Sequence, residues 1–347
     1  MNAVVDAPDV ASKVGHYYRM DGTYEVGREK VREYARAVQD YHPAHWDEDA
    51  AAALGYKGLV APLTFVSIPA MAANRALFET VVVGYDTFVQ TEQVFEQHKP
   101  IVAGDRLTTD VELSSVRRIA GKDLITVTNT FTDELGETVH VMHTTVVGVT
   151  GEEVDPAITT AVENIMVHGV SMFGRAAEAT QDADQEVPRR PEGELRLSTA
   201  GSTRTPGTTL SFDDLSVGDE VTLRDAKITR GDLVNYAGVS GDNNPIHWDE
   251  TVAGLAGLPD IIAHGMLTMG LGAGFLSAWS GDPGAVTRYG VRLSNYTVVD
   301  REQGGQVEYT GKVKSLDPDN RSAVILIVAK SGGRKIYGLA TADIRFR

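Results

Sequence analysis

The chain has 347 residues, enough for two domains, and its hydrophobic (42%) and charged (23%) fractions are those of a globular protein. Its net charge of −16 argues against nonspecific nucleic-acid binding, which depends on basic residues that neutralise phosphates. The sequence has no cysteine, no apolar run long enough for a membrane span and no signal-peptide pattern at its start, so we exclude thiol chemistry and expect a cytoplasmic protein.

The chain contains an internal repeat. Residues 28–61 align without gaps with residues 230–263, at an offset of 202 (230 − 28). The word HWDE occurs at position 45 and again at position 247, and identities on both sides keep the same register. Chance rarely preserves so many matches in one register. We therefore predict two copies of one domain.

Both copies show the same order of predicted elements. A short helix, a polar loop and a longer apolar helix precede several segments with strand-type alternation. The predicted helices cover 28–38, 64–79, 230–239 and 265–280. The predicted strands cover 86–97, 105–116, 123–133, 137–149, 285–299, 306–316, 322–329 and 335–346. One apolar helix followed by antiparallel strands predicts an α+β fold in which the sheet wraps around the helix.

These patterns divide the chain into 1–150, 151–205 and 206–347. The middle segment carries Ile158, Val162, Ile165 and Met166 at helical spacing, which predicts an amphipathic helix. The polar residues after it, rich in Pro, Gly, Ser and Thr, predict a flexible linker.

The loop SGDNNPIHWDE of the second copy carries candidate catalytic residues. Asp242 and the asparagines before Pro245 favour a turn, and a helix-ending turn with a solvated histidine is one interpretation. Asp242 and His247 also offer an acid/base pair. Downstream, Gly265 begins the apolar helix, where a free N–H and the helix dipole suit a developing oxyanion. Together these groups fit removal of a proton next to a thioester carbonyl and loss of a β-hydroxyl.

At this point the sequence resembles a family. SGDNNPIHWD and AHGM are similar to the hydratase motif of the MaoC-like hot-dog proteins, the (R)-specific enoyl thioester hydratases and dehydratases. The first copy, with HYYRMDGTYEVGREKVREYA, LGYKGLVAPLTFV and HKPIVAGDRL, resembles the substrate-binding subunit of the (3R)-hydroxyacyl-carrier-protein dehydratase of mycolic-acid fatty-acid elongation. The second copy, with LVNYAGVSGDNNPIHWDE, AHGMLTMG and GDPGAVTRYGVRL, resembles its catalytic subunit.

The resemblance implies a double hot-dog fold, in which two hot-dog domains lie side by side as a pseudo-dimer. It implies an acyl-ACP or acyl-CoA thioester as substrate and acyl carrier protein as a partner. We expect no metal and no cofactor. The carrier, the acyl chain length and assembly into a homo-oligomer stay open. A thioesterase is the rival enzyme, and a hot dog that only binds acyl thioesters is the rival from another class.

The resemblance also implies roles for matched positions. His247 would take the C2 proton, Asp242 would protonate or hold the departing C3 hydroxyl, and the Gly265 N–H would bind the thioester oxygen. Asn244 would shape the loop. His264, at the helix start, is predicted to be a capping or supporting histidine beside the substrate. Small and apolar residues of the first copy are predicted to line a tunnel for the acyl tail, with core filling as the alternative; they include Ser67, Ala70 and Met71.

The first copy also has an acid/base pair, since Asp40 and His45 match Asp242 and His247 in register. However, Leu63 stands where the second copy has Gly265, and its side chain would crowd a thioester carbonyl. We therefore predict that the first copy is catalytically silent.

Docking of an acidic carrier on this acidic chain needs a local positive field. The candidates are four basic residues that lie close together in sequence, with a solvated strand edge as the alternative; they are Lys312, Lys314, Arg334 and Lys335. His140 and His143 are three apart in a predicted strand and so point to opposite faces, which makes them a poor metal pair.

Overall fold

The computed structural model describes residues 9–85, 87–149, 157, 161, 188–193, 195–221 and 225–347. Within these ranges the helices are α1 (Arg28–Ala37), α2 (Glu48–Ala53), α3 (Ser67–Thr80), α4 (Ala200–Thr203), α5 (Arg230–Ser240), α6 (Glu250–Leu255) and α7 (Gly265–Ser280). Short 3-10 turns cover Ala11–Lys13, Pro43–His45, Leu63–Val66, Phe212–Asp214, Pro245–His247 and Pro283–Ala285. No helix in these ranges combines the length and the apolar character that a bilayer crossing requires.

The strands of the first half are β1 (Tyr17–Arg19), β2 (Tyr24–Glu25), β3 (Thr87–Gln97), β4 (Arg106–Ile119), β5 (Lys122–Thr132) and β6 (Thr138–Val149). Those of the second half are β7 (Glu220–Val221), β8 (Asp225–Ile228), β9 (Val286–Leu293), β10 (Gly305–Asp317), β11 (Ser322–Ser331), β12 (Arg334–Lys335) and β13 (Tyr337–Arg345).

The described strands of both halves form one antiparallel sheet. Their order is β1-β4-β5-β6-β3-β9-β13-β11-β10-β7, with β2 beside β4, β12 beside β11 and β8 beside β10. The halves join where β3 pairs with β9, in a register that sets Glu92 opposite Arg292 and Glu96 opposite Arg288. The predicted α+β double hot-dog is thereby confirmed.

Most predicted elements match the structure closely, and the differences are local. The strand predicted over 285–299 ends at Leu293, and only the isolated bridge of Val298 to Ile262 follows it. The helix predicted over 64–79 begins as the 3-10 turn Leu63–Val66 before α3. Strands β1, β2, β7 and β8 were not predicted, because two to four residues are too few to show a period.

The central helix α7 is the most buried element of the second half, with 13 of its 16 residues inside. Its glycines allow the first half to approach. A side-chain carbon at Gly270 would lie 2.5 Å from Val38 Cγ1, and one at Gly274 would lie 3.1 Å from Asp40 Cγ. The repeat also shows in space, since Tyr34 of α1 and its equivalent Tyr236 of α5 lie with ring centroids 6.3 Å apart.

The segment between the halves is described only at its end. The residues on which the amphipathic helix was predicted, Ile158, Val162, Ile165 and Met166, lie outside the described residues, as do residues 180–187 of the predicted linker. Further on, Arg196 accepts a hydrogen bond from the Thr138 N–H, and Gly201 donates one to His98 O. Arg204 contacts the buried Asp282 at 2.6 Å, which ties this segment to both halves.

Candidate active site

The loop after α5 is built by local hydrogen bonds. Gly241 ends the helix with a φ of 81°, a left-handed conformation that favours glycine. Asp242 Oδ1 then accepts from the Asn244 N–H at 3.4 Å, and Asn244 Oδ1 accepts from the Ile246 N–H at 3.3 Å. The latter bond caps the 3-10 turn that contains His247. The Asn244 side chain thus holds the start of the turn that carries His247.

The His247 ring is held in its neutral form. Its Nδ1 lies 2.8 Å from the carbonyl oxygen of Ile262, which can only accept, so Nδ1 carries the proton and Nε2 keeps its lone pair. Burial lowers the pKa of His247 below the usual value of histidine, and the nearby Asp242 carboxylate offsets only part of this effect. The ring is 7% exposed, whereas Asp242 is partly open to solvent.

His264 supports this arrangement from the other side. Its Nε2 donates to the backbone oxygen of Asp242 at 3.1 Å, and its ring stacks on His247 with centroids 3.8 Å apart. Burial, and next the repulsion by His247 when that ring is protonated, lower the pKa of His264 to about 2, so His264 stays neutral. It makes no capping hydrogen bond to α7. Of the two predicted roles, capping is therefore wrong, and the hydrogen bond of Nε2 to the loop fits the supporting role.

The three polar side chains form one cluster. Ligand-type atoms of Asp242, His247 and His264 lie within 4.8 Å of one another, a set that could in principle hold a metal ion. The two imidazole planes, however, are only 30° apart and stacked. The in-plane lone pairs of stacked rings lie in two separate, nearly parallel planes, and one ion cannot lie close to both planes, which disfavours its ligation by both nitrogens.

Gly265 begins α7 beside this cluster. In the described part of the chain its N–H has no hydrogen-bond acceptor, as expected for the first residue of a helix. A side-chain carbon at Gly265 would lie 3.0 Å from Leu293 Cδ1 and 3.8 Å from Gln90 Oε1. An oxyanion at this N–H would sit at the positive end of the helix dipole.

Gln90 was missed by the sequence analysis, although it reaches the site from the first half. It lies on β3, and its Nε2 donates to Gln93 Oε1 at 2.8 Å and contacts Met266 Sδ at 3.8 Å. No motif marks it. Only the pairing of β3 with β9, between residues some two hundred positions apart, brings this amide next to Gly265.

Comparisons with known proteins agree with this geometry. Residues 12–143 match the family model described as FAS1-like, dehydratase domain region, and residues 214–321 match the MaoC like domain. A solved structure described as a MaoC-like dehydratase is 61% identical, covers 97% of this chain and 100% of its own, and has a TM-score of 0.91. This chain belongs to the MaoC-like dehydratase family.

Two further matches fit this assignment. A UPF0336 protein of Mycobacterium leprae is 46% identical over 141 residues, which are 89% of that protein and 40% of this chain. A Mycobacterium tuberculosis protein described as having a double hotdog fold shares only 13% identity, but its TM-score is 0.61 over 96% of each chain. It supports the fold alone. Family membership supports a hydratase or dehydratase enzyme, as the sequence motif predicts.

In the first half of this MaoC-like dehydratase, the equivalent Asp/His pair is buried and its two side chains bond to each other. His45 Nε2 lies 3.0 Å from Asp40 Oδ2, and the two residues are 0% and 3% exposed. Burial alone would raise the pKa of Asp40, but the charge and hydrogen bond of His45 outweigh it and hold that pKa below its usual value. Burial alone would lower the pKa of His45, but the charge and hydrogen bond of Asp40 outweigh burial and raise it. The result is a buried ion pair, covered by Gly274 of α7.

The helix start of the first half also differs from that of the second. Leu63, which stands where the second half has Gly265, is buried.

The two histidines of β6 lie in different surroundings. The His140 ring packs between Phe95 and Phe131, with ring centroids 6.0 and 6.2 Å away. Burial lowers the pKa of His140 to about 3, so it is neutral. His143 contacts Thr128 on the other sheet face, as the alternation predicts.

The predicted tunnel residues of α3 lie at different depths. Ser67 Oγ is 3.1 Å from Tyr34 Oη in the interface between the halves, and Ala70 is fully buried in the core. Met71 is half-buried. The alternative of core filling suits Ala70 best, and the tunnel stays a prediction.

Proposed function

We propose that this MaoC-like dehydratase catalyses the reversible dehydration of (3R)-3-hydroxyacyl thioesters to trans-2-enoyl thioesters, with the chemistry confined to its second half. The observation that carries the proposal is the state of His247. Its Nδ1 is occupied by Ile262 O, so a neutral Nε2 remains as an acceptor beside Asp242 and the free N–H of Gly265. A base, a second proton carrier and an oxyanion donor are the groups that this elimination needs.

In the proposed reaction the thioester oxygen accepts a hydrogen bond from the Gly265 N–H. His247 Nε2 removes the C2 proton, and the electrons of the C–H bond form the double bond as the C3–O bond breaks. Asp242 holds the departing hydroxyl, and the Asp242–His247 pair returns one proton to it, so that water leaves and the pair ends as it began. Hydration is the same path in reverse.

We further propose that the substrate is bound to acyl carrier protein in fatty-acid elongation of the mycolic-acid type. The support is the similarity of the two halves to the substrate-binding and catalytic subunits of such a dehydratase. An (R)-specific enoyl-CoA hydratase is the alternative, because the catalytic cluster contacts the thioester and not its carrier. The exposed basic residues of the turn between β11 and β13 favour the carrier protein.

The test is a hydration assay. The purified protein is mixed with a trans-2-enoyl thioester, and the loss of the enoyl thioester absorbance is followed while free thiol is measured in parallel. We expect the absorbance to fall without release of thiol. Thiol release with the enoyl group intact would indicate a thioesterase, and neither signal on short or long chains would indicate a binding protein.

A further inference from the structure

The four basic residues predicted to dock a carrier do not form one patch. Lys312 and Lys314 lie on β10, whereas Arg334 and Lys335 form β12, next to the end of β11. In the sheet register Lys330 pairs with Lys335 and, on its other side, with Glu308. Lys312 is four residues further along β10, about 13 Å away at the usual rise of a strand. The predicted cluster is therefore wrong as a single unit.

Only one of these two groups is connected to the active site. We call Lys330, Arg334 and Lys335 the basic hairpin. Its Lys335 carbonyl accepts a hydrogen bond from Asn295 Nδ2 at 2.9 Å, and the next carbonyl, of Ile336, accepts from the Ser294 N–H at 3.0 Å. The residue before Ser294 is Leu293, whose Cδ1 would lie 3.0 Å from a side-chain carbon at Gly265. The hairpin is thus fixed to the wall of the site.

The direction of the substrate points to the same side. The carbonyl carbon of a thioester bears C2 on one side and sulfur on the other, and C2 must face His247. The sulfur and the arm attached to it would then lie on the side of the carbonyl away from His247. Leu293 and Gln90 are the side chains that border Gly265. An arm that passes Leu293 leads towards Ser294 and Asn295, which are hydrogen-bonded to the hairpin.

The charges of the hairpin are available to a partner. All three side chains are exposed, and among the described residues none of them has a carboxylate within 4 Å. Exposed Leu339 follows on β13 and adds an apolar surface. On a chain whose net charge is −16, these three side chains form a local positive patch.

The first half provides an internal comparison. In the symmetric sheet, β5 and β6 of the first half correspond to β11 and β13 of the second. The turn between β5 and β6 is therefore the equivalent of the basic hairpin. That turn is acidic, with Asp133, Glu134 and Glu137, and Asp133 pairs with Lys99 at 2.7 Å. The positive charge is therefore specific to the half with the open acid/base cluster and not a property of the fold.

From these observations we infer that the basic hairpin is the docking surface for the acidic face of an acyl carrier protein. The inference rests on the proposed function and names the surface by which its substrate arrives. Lys312 and Lys314 have no part in it. Electrostatic docking of this kind acts mainly on encounter, so it should raise the effective affinity for carrier-bound substrate and weaken with salt.

The experiment compares two charge reversals of equal size. Arg334→Glu with Lys335→Glu changes the hairpin, and Lys312→Glu with Lys314→Glu is the matched control on β10. For the hairpin variant we expect the KM for carrier-bound enoyl substrate to rise about tenfold or more, with the KM for the CoA ester within about twofold. The control should leave both values within about twofold of the unchanged protein.

Each other outcome overturns the inference. Equal effects of the two variants would mean that only overall charge matters, and an equal rise for carrier and CoA substrates would mean that the hairpin binds the phosphate they share. If the reversal impairs folding, as judged by the urea unfolding midpoint, Arg334→Gln with Lys335→Gln is used, and no rise in KM with that variant would also contradict docking. Failure of the proposed function is distinct, because the unchanged protein would then hydrate neither substrate.

Discussion

The same histidine substitution should have opposite consequences in the two halves. His45 and His247 occupy equivalent positions of the repeat, and each donates from Nδ1 to a backbone carbonyl. His45 also bonds to the buried Asp40 carboxylate, whereas His247 has a neutral Nε2 beside a partly open Asp242. We predict that His45→Ala lowers stability and spares turnover, and that His247→Ala lowers turnover with a smaller loss of stability.

The magnitudes follow from these environments. His45→Ala leaves the Asp40 carboxylate buried without its partner, which costs roughly 3–5 kcal/mol. Adding Asp40→Asn removes the stranded charge, so the double variant should be more stable than His45→Ala alone. His247→Ala removes a neutral ring and leaves the Ile262 carbonyl unpaired, which costs about 1–3 kcal/mol. Loss of a general base lowers the rate by about 10² to 10⁴.

The pH dependence of the free energy of unfolding gives a second test of the ion pair between Asp40 and His45. The pKa of His45 is raised, so its contribution is complete below its unfolded pKa of 6.5 and is lost as pH rises through the folded pKa. The pKa of Asp40 is lowered, so its contribution is present above 3.8 and is lost as pH falls through the folded pKa. The destabilisation by His45→Ala should therefore be greatest between about pH 3.8 and 6.5.

Both quantities can be measured on the same proteins. Urea unfolding followed by circular dichroism gives the free energy of unfolding, and the enoyl thioester absorbance gives turnover below the unfolding transition. The matched variants are His45→Ala, Asp40→Asn with His45→Ala, His247→Ala and Asp242→Asn. If the Asp40/His45 double variant loses half of the activity and Asp242→Asn the other half, both halves are catalytic and the reasoning is refuted.

Four further predictions concern the packing and the chemistry of the site. Gly270→Ala should destabilise the protein by about 1–3 kcal/mol through overpacking against Val38, while Gly238→Ala in α5, where nothing lies within 4 Å, should be neutral or stabilising by up to about 1 kcal/mol in the same urea titration. Because burial lowers the pKa of His247, kcat/KM should decline on the acid side only below pH 6.5; a decline beginning above that value would contradict a neutral buried base. Gln90→Leu should reduce kcat/KM on short enoyl thioesters several-fold without lowering the unfolding midpoint, and unchanged kinetics would exclude a contact with substrate. Ala70→Trp should impair long acyl chains selectively if α3 lines a tunnel, and equal losses for short and long chains would mean core filling.

The sequence predicted those features that depend on neighbouring residues. The repeat, the long strands and the loop around Asp242 and His247 could be identified because their signals lie within a few residues or in a fixed register. The place of Gly265 could also be predicted, since it starts a recognisable apolar helix. All of these features are local patterns that a period or a motif records.

Contacts between the halves could not be predicted in the same way. Gly274 covers Asp40 from a position more than two hundred residues away, and Gln90 reaches Gly265 across the join of β3 and β9. His264 was predicted either to cap the helix or to support the site, and its position alone could not decide between them, because its ring direction depends on stacking against His247. Lys312 and Arg334 were grouped because both fall in the last strands of the second half, but the antiparallel register separates them.

The most direct test of the account is to measure which enantiomer of a 3-hydroxyacyl thioester the protein dehydrates. Purified protein is incubated with a (3R)-3-hydroxyacyl thioester and, separately, with its (3S) form, and the enoyl product is quantified for the unchanged chain and for His247→Ala. The account predicts that the unchanged protein forms enoyl thioester from the (3R) substrate alone. It also predicts that the rate of His247→Ala is lower by a factor of at least about 10². Consumption of the (3S) form, or a folded His247→Ala protein that works at the original rate, would contradict it.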